Sequence, residues 1–326
     1  MVRTGAYAYV NYAFESAIGG TAGTLNKSFG LKTAVSSLTL TTNRINLGKL
    51  GQVEPSSFAY GQQSGTLGLS FVLGNTTSHD IFQAIYDTPA SGSGTTSSPY
   101  VYGSLSQGGA SKDFVGQSFT TEIGFNGDTD YMIRTLKGCI LNSLNITASI
   151  GDVINCSAEC VYGKEDAPSN ASSAFSDDGV ENSTPFTFAH GTLKVGGVLI
   201  AEVQDVDITF SQNGELLYQL GDQQTASAIK KSLDITGRFR ASWKNDDMID
   251  KVIAQLKGAS YAETFGGSPE FELFFTDGAS SPKYIKITAS GLGIGEHTVS
   301  GLEPVEPVFE DITWQVKTCK VEAVDQ

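Results

Sequence analysis

Along most of the chain, apolar and polar positions alternate with a period of two. In VSSLTLTTN (residues 35–43), Leu38 and Leu40 alternate with Ser37, Thr39 and Thr41. VQDVDITF (203–210) sets Val203, Val206, Ile208 and Phe210 against Asp205, Asp207 and Thr209. The same rhythm runs through TLGLSFVL (66–73), SFTTEIGF (118–125), SLDITGRF (232–239) and SPEFELFF (268–275). Alternation rich in β-branched and aromatic residues is the mark of a half-buried strand. Further strands are expected in DYMIRTLKG, LNSLNITASI, VINCSAECVYG, KYIKITASG and EDITWQVKTCKV. Two stretches switch to helical spacing. TSHDIFQAIYDT (77–88) carries Ile81, Phe82 and Ile85 behind a Thr77 or Ser78 cap. KNDDMIDKVIAQLKGA (244–259) carries Met248, Ile249, Val252, Ile253 and Leu256 and closes at Gly258.

These elements occur twice. Val35, Leu38 and Leu40 match Val203, Val206 and Ile208 at a displacement of 168, as do Gly23-Thr24-Leu25 and Gly191-Thr192-Leu193. After a slip of two residues, Asn43 and Leu50-Gly51 match Asn213 and Leu220-Gly221. Leu67 and Leu69 match Leu233 and Ile235 at 166, and Tyr131 and Gly138 match Tyr284 and Gly291. Each half therefore reads as strand, arm, strand, helix and several closing strands. The expected architecture is mainly β, with two tandem β-sandwich or half-barrel domains each flanked by one α-helix. The expected limits are an N-terminal arm at 1–22, a first domain at 23–162, a linker at 163–184 and a second domain at 185–326.

Composition narrows the class. The chain has 326 residues, 40% hydrophobic, with 17% charged and a formal net charge of −14. That content supports a packed core, and the negative charge argues against a basic nucleic-acid-binding surface. The start lacks the apolar run of a signal peptide and no later stretch is long and apolar enough for a bilayer span, so assembly in the cytoplasm and no membrane insertion are expected. Six Asn-x-Ser/Thr matches (at Asn26, Asn75, Asn145, Asn155, Asn170 and Asn182) then read as chance. Cys139, Cys156, Cys160 and Cys319 lack Cys-x-x-Cys spacing and are expected to be buried thiols.

Catalytic motifs are missing. GLGIGEH (291–297) has clustered glycines but no helical pattern behind it, which leaves a phosphate cradle without its helix. SDDG (176–179) lacks the spaced oxygen ligands of a calcium loop. No Gly-x-Ser-x-Gly elbow or His-Glu-x-x-His is present, and the three histidines are scattered. No enzyme activity, metal or cofactor is expected.

The strand VSSLTLTTN, the helix SHDIFQAIYD, the strand pair in GCILNSLNITASIGDVINCSAECVYG and the matching elements from 203 to 256 resemble the tail tube proteins of long-tailed, siphovirus-like phages and archaeal viruses. The resemblance implies six units joining their strands into a barrel around a bore. Its fused two-unit subset implies rings of three chains, pseudo-sixfold, stacked into a hollow tail tube through which viral double-stranded DNA passes without specific binding. It also implies a virion location and partners among the other tail proteins: terminator, baseplate or tip, and tape measure. With four strands per unit, about 24 strands spaced about 4.8 Å apart and tilted about 40° make a barrel about 45–50 Å across, leaving a bore of about 35–40 Å.

Alternation then nominates Ser37, Thr39, Thr41, Asp205, Asp207 and Thr209 for the bore, with Arg238 and Arg240 on a neighbouring strand of the same face. Leu38, Leu40, Val206 and Ile208 point into the core. Arms at 42–64 and 210–230, the loop 89–117 and residues 1–22 are candidates for ring-to-ring contacts. The nominated contact residues are Tyr7, Tyr9, Tyr12, Phe14, Leu47, Leu50, Leu217 and Tyr218. For the N-terminal aromatics the other reading is packing on their own domain. A virion decoration protein or carbohydrate-binding β-sandwich is the alternative function, and an S-layer or filament protein a third.

Overall fold

The computed structural model describes residues 8–20, 22–47, 57–76, 78–86, 91–104, 117–126, 131–166, 183–200, 202–220, 225–230, 232–242, 270–301 and 307–325, with a few isolated positions between them. The first half contributes β1 (Ala8–Phe14), β2 (Leu31–Leu47), β3 (Ser57–Val72), helix α1 (Ser78–Tyr86), β4 (Tyr100–Gly103), β5 (Phe119–Asn126), β6 (Tyr131–Ser149), β7 (Asn155–Tyr162) and β8 (Lys164–Glu165). The second half contributes β9 (Gly191–Val195), β10 (Val198–Leu199), β11 (Val203–Ser211), β12 (Gly214–Tyr218), β13 (Thr225–Lys230) and β14 (Asp234–Ser242). It closes with β15 (Phe271–Thr276), β16 (Tyr284–Ser290), β17 (Gly293–Ser300), β18 (Phe309–Val316) and β19 (Thr318–Val324).

One antiparallel path crosses both halves in the order β17-β18-β14-β11-β6-β7-β3-β2. Within each half, the strands follow the same spatial order, first, second, fourth, third: β2-β3-β7-β6 and β11-β14-β18-β17. The halves join where β6 pairs with β11, Ile146 opposite Ile208 and Leu144 opposite Phe210. A second layer covers the apolar side of this path. In the first half it is β1 and β8 on either side of β5 and the N-terminal part of β6. In the second half it is a sheet in the order β10-β9-β15-β16-β19-β4.

Matching ladders place the two halves in one register. The β6–β7 ladder bulges between Leu141 and Ser143, and the β17–β18 ladder between Ile294 and Glu296. Aligned on these bulges, Glu159 corresponds to Thr313, Gly68 to Arg238 and Ser37 to Asp207. The displacement from Ser37 through the arm and along β3 is then 170, rather than 168 or 166 with a slip; upstream of Ser37 the bulges differ, between Val35 and Ser37 in β2 and between Val203 and Asp205 in β11. Alternation leaves such a match open to shifts of two, because the side-chain period is two. The sides assigned to each residue survive the correction. Gly23-Thr24-Leu25 is not a counterpart of Gly191-Thr192-Leu193: it lies outside the strands, and β9 holds beside β15 the place that β1 holds beside β5.

The core lies between the layers. Val206, Ile208, Phe210, Leu144 and Ile146 from the junction are buried with Leu67, Leu69, Phe239 and Ile312. Phe271 of the second layer meets Trp314 of the first at 4.4 Å between ring centroids. Trp314 also explains the glycine that interrupts alternation in SLDITGRF: its indole occupies the space where a Gly237 side chain would stand. β6 serves both layers by turning at Gly138, whose φ of 64° suits glycine; its counterpart Gly291, with φ 73°, separates β16 from β17. All four cysteines are free and buried, and burial raises the thiols of Cys139, Cys156 and Cys319, the last to about 12.

Two buried carboxylates tie the periphery down. Glu15 accepts from the backbone N–H of Gly19 and Gly138 at 2.8 and 2.9 Å, and from the hydroxyls of Ser118 and Thr120 at 2.8 and 2.7 Å. Asp80, at the start of α1, accepts from Tyr12 and pairs with Lys27 at 3.3 Å and His79 at 3.1 Å, while His79 also meets Asp325 near the C terminus. Tyr12 itself stacks on Phe29 at 3.8 Å.

Several expectations change here. Leu40, on the edge strand β2, is 44% exposed, whereas its counterpart Phe210 lies under Phe82 and Tyr86 of α1; Leu38 is half-buried against the core. Residues 8–14 form β1, paired to β5 along its whole length, so this stretch is part of the sandwich rather than a separate arm. The expected second helix lies largely outside the described residues; α1 is the one α-helix with bounds among them, beside a single 3-10 turn at Phe188–His190. Lys164 and Glu165, in the expected linker, form β8, and residues 167–182 lie outside the described residues.

Replacing Asp80 by alanine removes the acceptor of a buried tyrosine hydroxyl and the partner of Lys27. It is expected to cost about 3 kcal/mol, read as a lower urea midpoint at unchanged slope.

Candidate assembly surfaces

The side of the eight-strand path that faces away from the core is a continuous polar surface. One row runs Glu296, Thr313, Arg238, Asp207, Thr147 and Asn155 across six strands, and the next runs Gln315, Thr236, Thr209, Asn145, Ser157 and Ser70. All six nominated bore residues lie on this face. Ser37, Thr39 and Thr41 are exposed, and Asp205, Asp207 and Thr209 half-buried. Hydrogen bonds knit it together: Asn145 Nδ2 donates to Thr209 Oγ1 at 2.9 Å, Thr147 Oγ1 to Asp207 Oδ1 at 2.9 Å, and the hydroxyls of Thr39 and Thr66 lie 2.6 Å apart.

Arg238 bridges Asp205 at 3.1 Å and Asp207 at 3.5 Å, and Arg240 approaches Asp311 at 3.9 Å. The face therefore carries charges of both signs, paired across neighbouring strands. Desolvation holds the Asp205 carboxyl above its usual range, with Arg238 opposing. Glu159, Asp205, Asp207, Asp234, Glu296 and Asp311 share this face with Arg238 and Arg240, and Lys32 and Lys317 line pockets on it, so among the described residues carboxylates outnumber cations six to four. Such half-exposed pairs are worth only about 0.2–1 kcal/mol each; they order the surface more than they stabilise the chain.

Both ends of the path are open. β2 pairs with β3 and β17 with β18, and among the described residues neither has a strand on its outer side. Leu40 stands exposed at the first of these edges. Unpaired edges of this length are templates for another strand. The sequence reading missed β17, since GLGIGEH spreads three glycines through the alternation; the surviving signal was the Gly138–Gly291 match, which aligns β17 with the C-terminal part of β6.

The nominated ring-to-ring residues divide. Tyr9 and Tyr12 are buried, Tyr9 donating to Glu122 at 2.8 Å, and Phe14 packs against the core, so these aromatics serve their own chain. Tyr7 and Leu50 lie outside the described residues, and Leu47 is described only as backbone at the end of β2. Leu217 is 37% exposed on β12. Tyr218 donates to the Gln63 carbonyl at 2.7 Å, holding the β12–β13 hairpin against the first half. In the loop 89–117, β4 adds to the second-half sheet through β19, and residues 105–116 lie outside the described residues.

Among the described residues no group of three or more His, Cys, Asp or Glu is arranged for a metal ion. No helix among them is long and apolar enough to cross a membrane. What the geometry offers is a two-layer sheet with one polar face richer in carboxylates than in cations, two open edges and a hairpin laid on that face. Among curated proteins, none matches the chain. The sequence profile of the phage tail tube protein family matches residues 5–316, nearly the whole length, and the chain belongs to that family.

Proposed function

We propose that three copies of this chain close a ring of 24 strands, and that rings stack into the tail tube with the acidic polar face lining the bore for viral double-stranded DNA. The observation that carries this reading is the β6–β11 junction. In the two four-strand runs, β2 corresponds to β11 and β17 to β6, so the free edges are counterparts of the two strands already joined inside the chain. An identical junction between chains pairs β17 of one copy with β2 of the next. The register carries over: Ile146 opposite Ile208 becomes Val299 opposite Leu38, and Asn145 opposite Thr209 becomes Thr298 opposite Thr39.

Head-to-tail interfaces of this kind either close or run on as filaments. Doubling the unit within one chain makes three copies equivalent to six single units. Closure removes both edges and covers Leu40, whose counterpart Phe210 is fully buried at the internal junction. The net acidic face suits a conduit, because basic side chains on it would bind phosphates and release counterions, holding the passing duplex. Assembly with the other tail proteins, in the host cytoplasm, follows from this reading.

Directly opposed antiparallel residues lie within disulfide reach, at Cα separations of about 4.5–5.5 Å. The pair Thr39→Cys and Thr298→Cys, made in one chain whose own thiols are buried, is expected to link assembled tubes into dimers and trimers and nothing larger. A ladder continuing to six chains, or no linkage in intact tubes, contradicts the ring. Replacing Asp205 and Asp207 together by lysine is expected to lower genome delivery by about tenfold or more in virions whose tails still form. Unchanged delivery counts against an acidic bore.

A further inference from the structure

The two arms are unequally placed. In the second half, the chain leaves β11, turns at Asn213 with φ 47°, and lays the β12–β13 hairpin across the middle of β6 and the C-terminal part of β7. Gln212 N–H donates to the Asn142 carbonyl at 2.8 Å, Gly214 N–H to Asn142 Oδ1 at 2.9 Å, and Tyr218 to Gln63. Asn142 is the bulge residue of β6. In the first half, the equivalent hairpin runs straight out of the sheet as the continuation of β2 and β3, pairing Arg44 with Tyr60 through Leu47 with Ser57. The pairs agree at the displacement of 170: Arg44–Tyr60 corresponds to Gly214–Lys230. The ladder of β2 slips between Thr42 and Arg44, at Asn43, the counterpart of Asn213.

The surface the second arm occupies has an open counterpart. A cleft of about 320 Å³ remains between β12 and Thr39, Ser64, Thr66 and Val161. The corresponding residues Thr209, Asp234, Thr236 and Gln315 line a groove of about 1160 Å³, in which no hairpin of the described residues lies. Leu233, the counterpart of Gln63, lines it too, as do Gly293, Ile294 and Gly295 of the free edge β17. Gly295 is the counterpart of Asn142. A β2 strand paired to β17 with Thr41 opposite Glu296 therefore delivers Thr42 and Asn43 to the rim of this groove.

We infer that the groove is the seat of the β2–β3 arm of the neighbouring copy, which folds over at Asn43 when β2 pairs with β17. Resting on the ring reading, this assigns the first arm to contacts within a ring rather than between rings. Asn43 suits the hinge because asparagine is among the few residues other than glycine that enter the left-handed region readily. The inward fold also brings each arm onto the acidic face, so that six hairpins, two per chain, sit around the bore at equivalent positions.

A photo-crosslinking phenylalanine in place of Asn46, the counterpart of Leu216, reports the arm's seat in assembled tubes. Adducts mapping to residues 233–237 or 313–315 of another copy are the expected result. Adducts elsewhere, with the 39–298 disulfide still forming, overturn the arm assignment and leave the ring intact; loss of the disulfide as well removes the ring itself. Asn43→Val is expected to raise the protein concentration needed for assembly by about tenfold, with Asn43→Gly assembling normally. Equal assembly by both variants overturns the hinge.

Discussion

The pairing of β6 with β11 is the interaction on which the structure depends. It is an antiparallel ladder between the last strand of one four-strand run and the first strand of the next, and it turns two half-sheets into one continuous surface. Its apolar side, Leu144, Ile146, Ala148, Val206, Ile208 and Phe210, is buried in the core common to both halves. Because the join is head-to-tail, it satisfies one edge from each half and leaves the same two kinds of edge at the ends. In the proposed ring, the contact between chains repeats the one already made inside the fold.

The division of labour between the two layers follows from that join. The second layer covers the apolar side and ties the halves together: β4, from the first half, pairs with β19, and His79 at the start of α1 meets Asp325 near the C terminus. Burial of the core and of Glu15 and Asp80 then has no call on the opposite face, which is free to carry threonines, serines and paired charges. A face so populated adheres weakly to a polyanion, and neighbouring strands hold its charges in cross-strand pairs. The apolar side of the sheet thus carries the packing, and the polar side is the one proposed for the bore.

Much of this was legible in the residues. The alternation in VSSLTLTTN and VQDVDITF gave the strands and the correct sides for Thr39, Asp207 and Thr209, because a period of two is indifferent to shifts of two. For the same reason, it could not give the true displacement, which rests on where the bulges at Leu141/Ser143 and Ile294/Glu296 fall. Leu40 misled because its neighbours in sequence say nothing of whether another element lies over it, as α1 lies over Phe210. The N-terminal aromatics misled for a different reason: pairing of β1 to β5 is a contact over more than a hundred residues, and only the fold shows Tyr12 stacked on Phe29 and bonded to Asp80. The edge strand β17 was hidden by its glycines, which weaken alternation while leaving the backbone ladder intact.

The number of chains around the tube is the quantity the account stakes most on. A cryo-electron microscopy reconstruction of assembled tubes, refined without imposed rotational symmetry, measures it directly. Threefold rings in which each chain contributes eight strands, with density continuous from β17 of one copy to β2 of the next, are the predicted result. Six chains per ring, or sheets whose β2 and β17 edges end in solvent, would contradict it.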